Sequence, residues 1–185
     1  MNPRLERLMR TRSLTERIVW AVITGSVLFY FFIAYLFVLQ NTGAGVRAVS
    51  GVAPVFYAAA AVAAAISVVY RIRSFSHGRI REILSNYNPD ASPGDELTGN
   101  TDTDDVNALS VSEKKALFLL NELQKASIIN LILNEIVIMI GFVLTFLSGD
   151  IGKIIPFGVA SILLCLWMFP RTESAVKKAL NIFPG

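Results

Sequence analysis

The chain has 185 residues, of which 54% are hydrophobic, and its mean hydropathy is +0.55. Soluble domains contain about 45–50% apolar residues, and here the excess is gathered into runs with almost no charge, which excludes an ordinary soluble domain. The formal net charge is +3. It does not indicate nucleic-acid binding, because the basic residues flank the apolar runs.

Cysteine and histidine each occur once, as Cys165 and His77, which limits the chemistry available to the chain. A lone cysteine cannot form an internal disulfide, and a zinc site or a Ser-His-Asp triad would depend on a single histidine. No nucleophile, set of metal ligands or acid–base pair is evident in the sequence. We therefore expect no metal site, no cofactor and no enzymatic activity.

Four apolar runs indicate membrane-spanning helices. A helix needs about 20 apolar residues to cross the hydrocarbon core, with a lower limit near 17. The runs occupy residues 18–39, 52–70, 128–147 and 154–169, and the fourth is short. A cleaved signal peptide is the alternative for the first run, but the apolar core of a signal peptide has only about 7–15 residues. We therefore predict four transmembrane helices.

The basic residues predict the orientation of these helices. All 17 Lys and Arg residues except Arg47 and Lys153 lie in the N-terminal tail, in the connection between the second and third runs, or in the C-terminal tail. The positive-inside rule places these three segments, and so both termini, in the cytoplasm. Trp20 and Trp167 fall at the cytoplasmic ends of their runs, where indole rings prefer to lie. The pattern predicts a multi-pass protein of the cytoplasmic (inner) membrane.

The predicted organisation has five parts in chain order. These are a basic cytoplasmic tail (1–17), transmembrane helices one and two (18–72), a cytoplasmic connection (73–127), transmembrane helices three and four (128–170) and a second cytoplasmic tail (171–185). The fold class is all-α, a polytopic membrane four-helix bundle with a cytoplasmic extension of helix three.

The cytoplasmic connection contains two different segments. Residues 88–107 are rich in Pro, Gly, Asp, Thr and Asn and form an acidic linker that we expect to be flexible. Residues 110–127 form an amphipathic helix, with Ser110 and Glu113 at capping-box spacing. No Pro or Gly interrupts the sequence from there into the third run, so helix three should begin outside the membrane and continue into it.

Glu135 is the most informative residue, because it lies near the midpoint of the third run. A charge at that depth costs several kcal/mol, so such residues face the bundle interior or a water-filled cavity and often mark ion or proton pathways. Asn134 is its neighbour, and Asn130 lies one turn earlier. The functional interpretation is an ion- or proton-binding site formed by these three residues. The structural interpretation is interhelical hydrogen bonding that holds the bundle together.

Small residues predict where helices pack closely. The second run contains two alanine clusters, and we assign Ala59 and Ala63 there, with Gly141 in the third run, to helix packing. Ordinary packing within the bundle is one interpretation of the alanines, and a close oligomer interface is the other.

The segment NEIVIMIGFVLTFL, which begins at Asn134, resembles the carboxylate-bearing second helix of the proteolipid (c) subunit of rotary ATP synthases. In that family a mid-membrane Glu or Asp is followed by a Gly, which corresponds here to Gly141. The preceding small-residue segment 58–65 is similar to the family's glycine-rich first helix. The resemblance implies that Glu135 carries an ion. The GxGxG pattern is absent, the connection is longer, and helices one and four have no counterpart in the family's hairpin.

Three functional hypotheses follow. The leading one is a proton- or ion-handling membrane subunit centred on Glu135 and distantly related to proteolipid subunits. The second is a non-catalytic assembly or scaffold subunit of a membrane complex, and the third is a small homodimeric transporter. The expected partners are membrane lipid and either further copies of this chain or other membrane subunits, with no nucleic acid.

Overall fold

The computed structural model describes residues 3–40, 51–88 and 109–182, and every regular element in these ranges is a helix, which confirms the all-α prediction. The helices are α1 (Pro3–Gln40), α2 (Ala53–Ser74), α3 (His77–Ser85), α4 (Val111–Ser148), α5 (Ile155–Trp167) and α6 (Thr172–Ile182), with a 3-10 turn at Ile151–Lys153. The predicted acidic linker, apart from Asn88, lies outside the described residues.

Four stretches of the described chain are long and apolar enough to cross a membrane, as the sequence predicts. They are Pro3–Gln40, Ala53–Ser74, Val111–Ser148 and Ile151–Ala179. The chain is therefore a multi-pass membrane protein. The identity of the membrane and the side on which the termini lie stay predictions.

Helix α4 runs unbroken for 38 residues and joins the predicted amphipathic segment to the third span. Its start is a capping box. The Ser110 N–H donates to Glu113 Oε2 (2.9 Å), and the Glu113 N–H donates to Ser110 Oγ (3.4 Å). Because about 20 residues cross the hydrocarbon core, the remaining turns of α4 extend outside it. The predicted extension of helix three is confirmed.

The chain separates into two compact units. The first unit contains Met1–Arg17, Ile72–Ser127 and Pro170–Gly185, and the second contains Ile18–Arg71 and Ile128–Phe169. All four apolar runs fall within the second unit.

The first unit has an apolar core of its own. Apart from Leu109, which precedes α4, its buried apolar side chains come from α1, α3, α4 and α6: Leu5, Leu8, Met9, Ile80, Ile83, Ala116, Leu117, Leu119, Leu120, Leu123, Val176 and Ala179. Two polar contacts accompany this core. Arg12 Nη1 donates to Asn121 Oδ1 (3.3 Å), and burial lowers the pKa of the Arg12 guanidinium. The Thr172 hydroxyl, at the start of α6, donates to the buried Glu16 carboxylate.

The second unit packs its helices closely at two glycines. A Cβ added to Gly141 would lie 2.5 Å from the Cβ of Phe157, and one added to Gly158 would overlap the ring of Phe31. The Phe157 ring also stacks on Tyr57, with 4.9 Å between ring centroids. Such approaches are typical of membrane bundles, in which van der Waals packing replaces the hydrophobic effect as the force between helices.

Candidate site in the membrane-spanning unit

Three polar side chains of α4 each contact a different helix of the second unit. The first is Asn130, which is buried and contacts α2. The Ser67 hydroxyl donates to Asn130 Oδ1 at 2.8 Å and lies 3.9 Å from the sulfur of Met168. Ser67 is itself fully buried. Asn130 therefore joins α4 to α2.

Asn134 is also fully buried and joins α4 to α5. Its Nδ2 donates to the backbone carbonyl of Ser161 (3.1 Å) and lies 2.8 Å from the sulfur of Cys165. Both α5 residues are fully buried. Cys165 thus serves as a small packing residue that accepts a hydrogen bond, as its position in an apolar run suggests.

Glu135 joins α4 to α1 through its carboxyl group. The hydroxyls of Ser26 and Tyr30 both donate to Oε1, at 2.9 and 3.2 Å. Unlike the two asparagines, Glu135 is only half-buried. Within the described part of the second unit, all its hydrogen-bond partners are neutral.

The Ser26 hydroxyl gives this carboxyl two ways to be hydrogen-bonded. It lies 2.7 Å from the carbonyl oxygen of Ile23 as well as 2.9 Å from Glu135 Oε1. A hydroxyl has one hydrogen and can donate to only one of these acceptors at a time. When Glu135 is ionised, Ser26 and Tyr30 can both donate to it. When Glu135 is protonated, its own O–H can donate to Ser26, which then donates to Ile23. The same side-chain positions therefore satisfy both protonation states.

The residues assigned to helix packing are not equivalent. Ala59 is exposed and Ala63 is half-buried, whereas their neighbour Ala60 is buried in the core of the second unit. Gly141 is buried against Phe157. Packing inside the unit thus uses Ala60, Ala63 and Gly141, and a contact of Ala59 with another chain stays a prediction.

Sequence reasoning missed the hydroxyl partners of the polar residues: Ser26, Tyr30 and Ser67. A signal was present, since each is a hydroxyl side chain inside an apolar run. Their pairing could not be read from the sequence, because Ser26 and Glu135 are separated by 109 positions and Ser67 and Asn130 by 63.

Among residues 3–40, 51–88 and 109–182, no three His, Cys, Asp or Glu side chains are grouped so that they could hold a metal ion.

Comparison with known proteins gives no relative for this chain. No family model, no curated protein and no solved structure matches it. The likeness to proteolipid subunits therefore stays a prediction that depends on the α4 residues alone.

The hydrogen bond between Ser67 and Asn130 should hold the bundle together measurably. We expect a double-mutant cycle with Ser67→Ala and Asn130→Ala to give a coupling of about 0.6 kcal/mol, and at most about 1.7 kcal/mol, as for other interhelical hydrogen bonds in membranes. The measurement is the free energy of unfolding in mixed micelles. Ser67→Ala combined with Thr145→Ala is the matched control, because Thr145 bonds within its own helix to Gly141, and the pair should be additive.

Proposed function

We propose that this chain is a proton- or ion-handling subunit of the inner membrane and that Glu135 is the group that binds and releases the proton. The observation that carries the proposal is the arrangement of Ser26 and Tyr30 around the carboxyl. Two neutral hydroxyls can donate hydrogen bonds to the ionised form, and one of them, Ser26, can accept a hydrogen bond from the O–H of the neutral form. A permanently ion-paired carboxylate would lack this reversibility.

Position and composition support the same proposal. Glu135 lies near the middle of an apolar run, at a depth where a carboxyl is retained at a cost of several kcal/mol. No Lys or Arg lies within the four apolar runs to neutralise it. The basic residues that flank these runs favour cytoplasmic termini and a cytoplasmic first unit. We assign no enzymatic activity to the chain.

A scaffold subunit is the second candidate, and the two asparagines favour it. Asn130 and Asn134 are buried and hydrogen-bonded to other helices, which is the arrangement expected of residues that only hold a bundle together. In that case the hydrogen bonds of Glu135 to Ser26 and Tyr30 only hold α4 against α1. The two candidates make different predictions for Glu135→Gln, which removes the carboxyl proton but keeps a hydrogen-bond acceptor. An ion-handling subunit should lose its activity, whereas a scaffold subunit should not. A small homodimeric transporter stays the third hypothesis.

Labelling with a hydrophobic carbodiimide tests the proposal, because the reagent partitions into the bilayer and reacts with protonated carboxyl groups. We expect membranes containing the wild-type protein to yield a modified peptide that includes Glu135 and Glu135→Gln to yield none. Gln retains an oxygen that accepts from Ser26 and Tyr30, so the thermal stability of the variant should stay close to that of the wild type.

Glu82→Gln is the matched control, because Glu82 is paired with Arg79 (2.9 Å) at the surface of the first unit. It should leave the labelling unchanged. Absence of modification at Glu135 in the wild-type protein would contradict the proposal. So would equal labelling of Glu135→Gln and the wild type.

A further inference from the structure

Three buried polar atoms of α4 and α5 have no hydrogen-bond partner among the described residues. They are Asn130 Nδ2, Asn134 Oδ1 and Ser161 Oγ, and all three residues are at most 1% exposed. The other end of each amide is hydrogen-bonded. Asn130 Oδ1 accepts from Ser67, and Asn134 Nδ2 donates to the Ser161 carbonyl. Both amides are therefore held in place, and each has one polar atom still to be satisfied.

Polar atoms of this kind are costly inside a membrane-spanning bundle. The hydrocarbon core offers neither donors nor acceptors, so polar groups at that depth must be satisfied within the protein. A buried group that gives up its hydrogen bond to bulk water and gains no other destabilises the fold. In native structures such atoms are the usual partners of a bound water or ion. Three of them on two packed helices therefore indicate a small polar ligand.

The positions of these residues fit one ligand between them. Asn130 and Asn134 are four residues apart in α4, so they lie on the same face, one turn from each other. The Cβ atoms of such a pair are about 5–6 Å apart, close to the length of two hydrogen bonds in series. Ser161 borders the same place, because its carbonyl oxygen lies 3.1 Å from Asn134 Nδ2. A single small molecule between the amides can therefore contact both.

The mixture of donor and acceptor atoms selects water as the ligand. Asn130 Nδ2 can only donate, Asn134 Oδ1 can only accept, and the Ser161 hydroxyl can do either. A metal cation would bind the oxygens and leave Asn130 Nδ2 without an acceptor. An anion would bind the N–H and leave Asn134 Oδ1 without a donor. Water both accepts and donates, and buried waters make about three hydrogen bonds to groups of this kind.

We infer that α4 and α5 bind a water molecule inside the membrane-spanning unit. It accepts a hydrogen bond from Asn130 Nδ2, donates one to Asn134 Oδ1 and is hydrogen-bonded to the Ser161 hydroxyl. This site is separate from the carboxyl group of Glu135, whose hydroxyl partners lie on α1. The inference therefore does not depend on whether Glu135 exchanges a proton.

Solid-state NMR of the ¹⁵N-labelled wild-type protein in lipid bilayers tests this inference, with magnetisation transferred from water protons. The side-chain NH₂ signal of Asn130 is identified by its loss in Asn130→Ala. We expect this signal to gain intensity from water at short mixing times. The backbone N–H of Ile138 is the matched control, because Ile138 is fully buried about two turns further along α4. A transfer to Asn130 no larger than the transfer to Ile138 would overturn the inference.

Unfolding in mixed micelles provides a second measurement. The two amides do not bond to each other, so a molecule bound between them is what would couple their substitutions. We expect Asn130→Ala with Asn134→Ala to change the unfolding equilibrium constant about threefold less than the product of the single changes, the size of one hydrogen bond between membrane helices. Asn130→Ala with Thr145→Ala should be additive, because Thr145 bonds within its own helix. Additive effects of the two asparagines would contradict the bridging water.

Discussion

Replacing Gly141 with alanine should lower the free energy of unfolding of the second unit by about 2 kcal/mol. The added Cβ would lie 2.5 Å from both Cβ and Cγ of Phe157, which are the atoms closest to the backbone and cannot swing aside. The ring of Phe157 is also stacked on that of Tyr57, which restricts its movement. Overpacking of this kind costs about 3 kcal/mol at its upper range, and alanine recovers about 1 kcal/mol of helix propensity over glycine.

Two other glycines provide controls for this prediction. For each variant the free energy of unfolding is measured in mixed micelles. Gly51 has no atom within 4 Å of an added Cβ, so Gly51→Ala should change the stability by less than about 0.5 kcal/mol. Gly158→Ala should fall between the two, because its clash is with the far end of the Phe31 ring, which can move more easily. If Gly141→Ala proved as stable as Gly51→Ala, the close contact of α4 with α5 would be refuted.

The transmembrane part of the fold could be predicted because the bilayer imposes one requirement on every span. In hydrocarbon a long apolar run satisfies its backbone hydrogen bonds as a helix. The run 18–39, which has no charged residue, and the run 128–147, in which Glu135 is the only one, were therefore recognisable from composition alone. The continuation of α4 outside the membrane was also predictable, since neither Pro nor Gly interrupts it and Ser110 and Glu113 mark its start.

The first unit was harder to predict, because its helices are short and mostly polar. Helix α6, at Thr172–Ile182, lies in a segment interpreted only as a basic tail. Its Val176 and Ala179 become buried against side chains that come from distant parts of the chain, such as Leu5 and Leu120. The N-terminal tail likewise forms the first turns of α1. Amphipathic segments with so few apolar residues depend on tertiary packing, which a local pattern does not reveal.

The candidate site was half predictable for a similar reason. An acid and two amides in an apolar helix stand out at once, so Asn130, Asn134 and Glu135 were found from the sequence. Which helix each would contact depends on how the bundle is assembled. Serine and tyrosine are common enough in membrane helices that Ser26 and Tyr30 carry no comparable signal of their own.

Glu135 should take up and release a proton while it remains in the membrane. The physical reason is that Ser26 can act as donor to the ionised carboxylate or as acceptor from the neutral acid, with Ile23 accepting the hydrogen of Ser26 in the second state. Glu135→Gln removes the titrating group and preserves an acceptor for Ser26 and Tyr30. The difference between wild type and variant therefore isolates one carboxyl group, because all other Asp and Glu side chains are shared and cancel.

Infrared spectroscopy of the protein in lipid bilayers, recorded as the pH is changed, measures this difference directly. We expect the wild-type spectrum to contain a carboxylic-acid C=O band that disappears as the pH rises, and we expect that band to be missing from Glu135→Gln at every pH. Identical pH-dependent spectra for the two proteins would show that Glu135 does not exchange a proton and would contradict the proposed function.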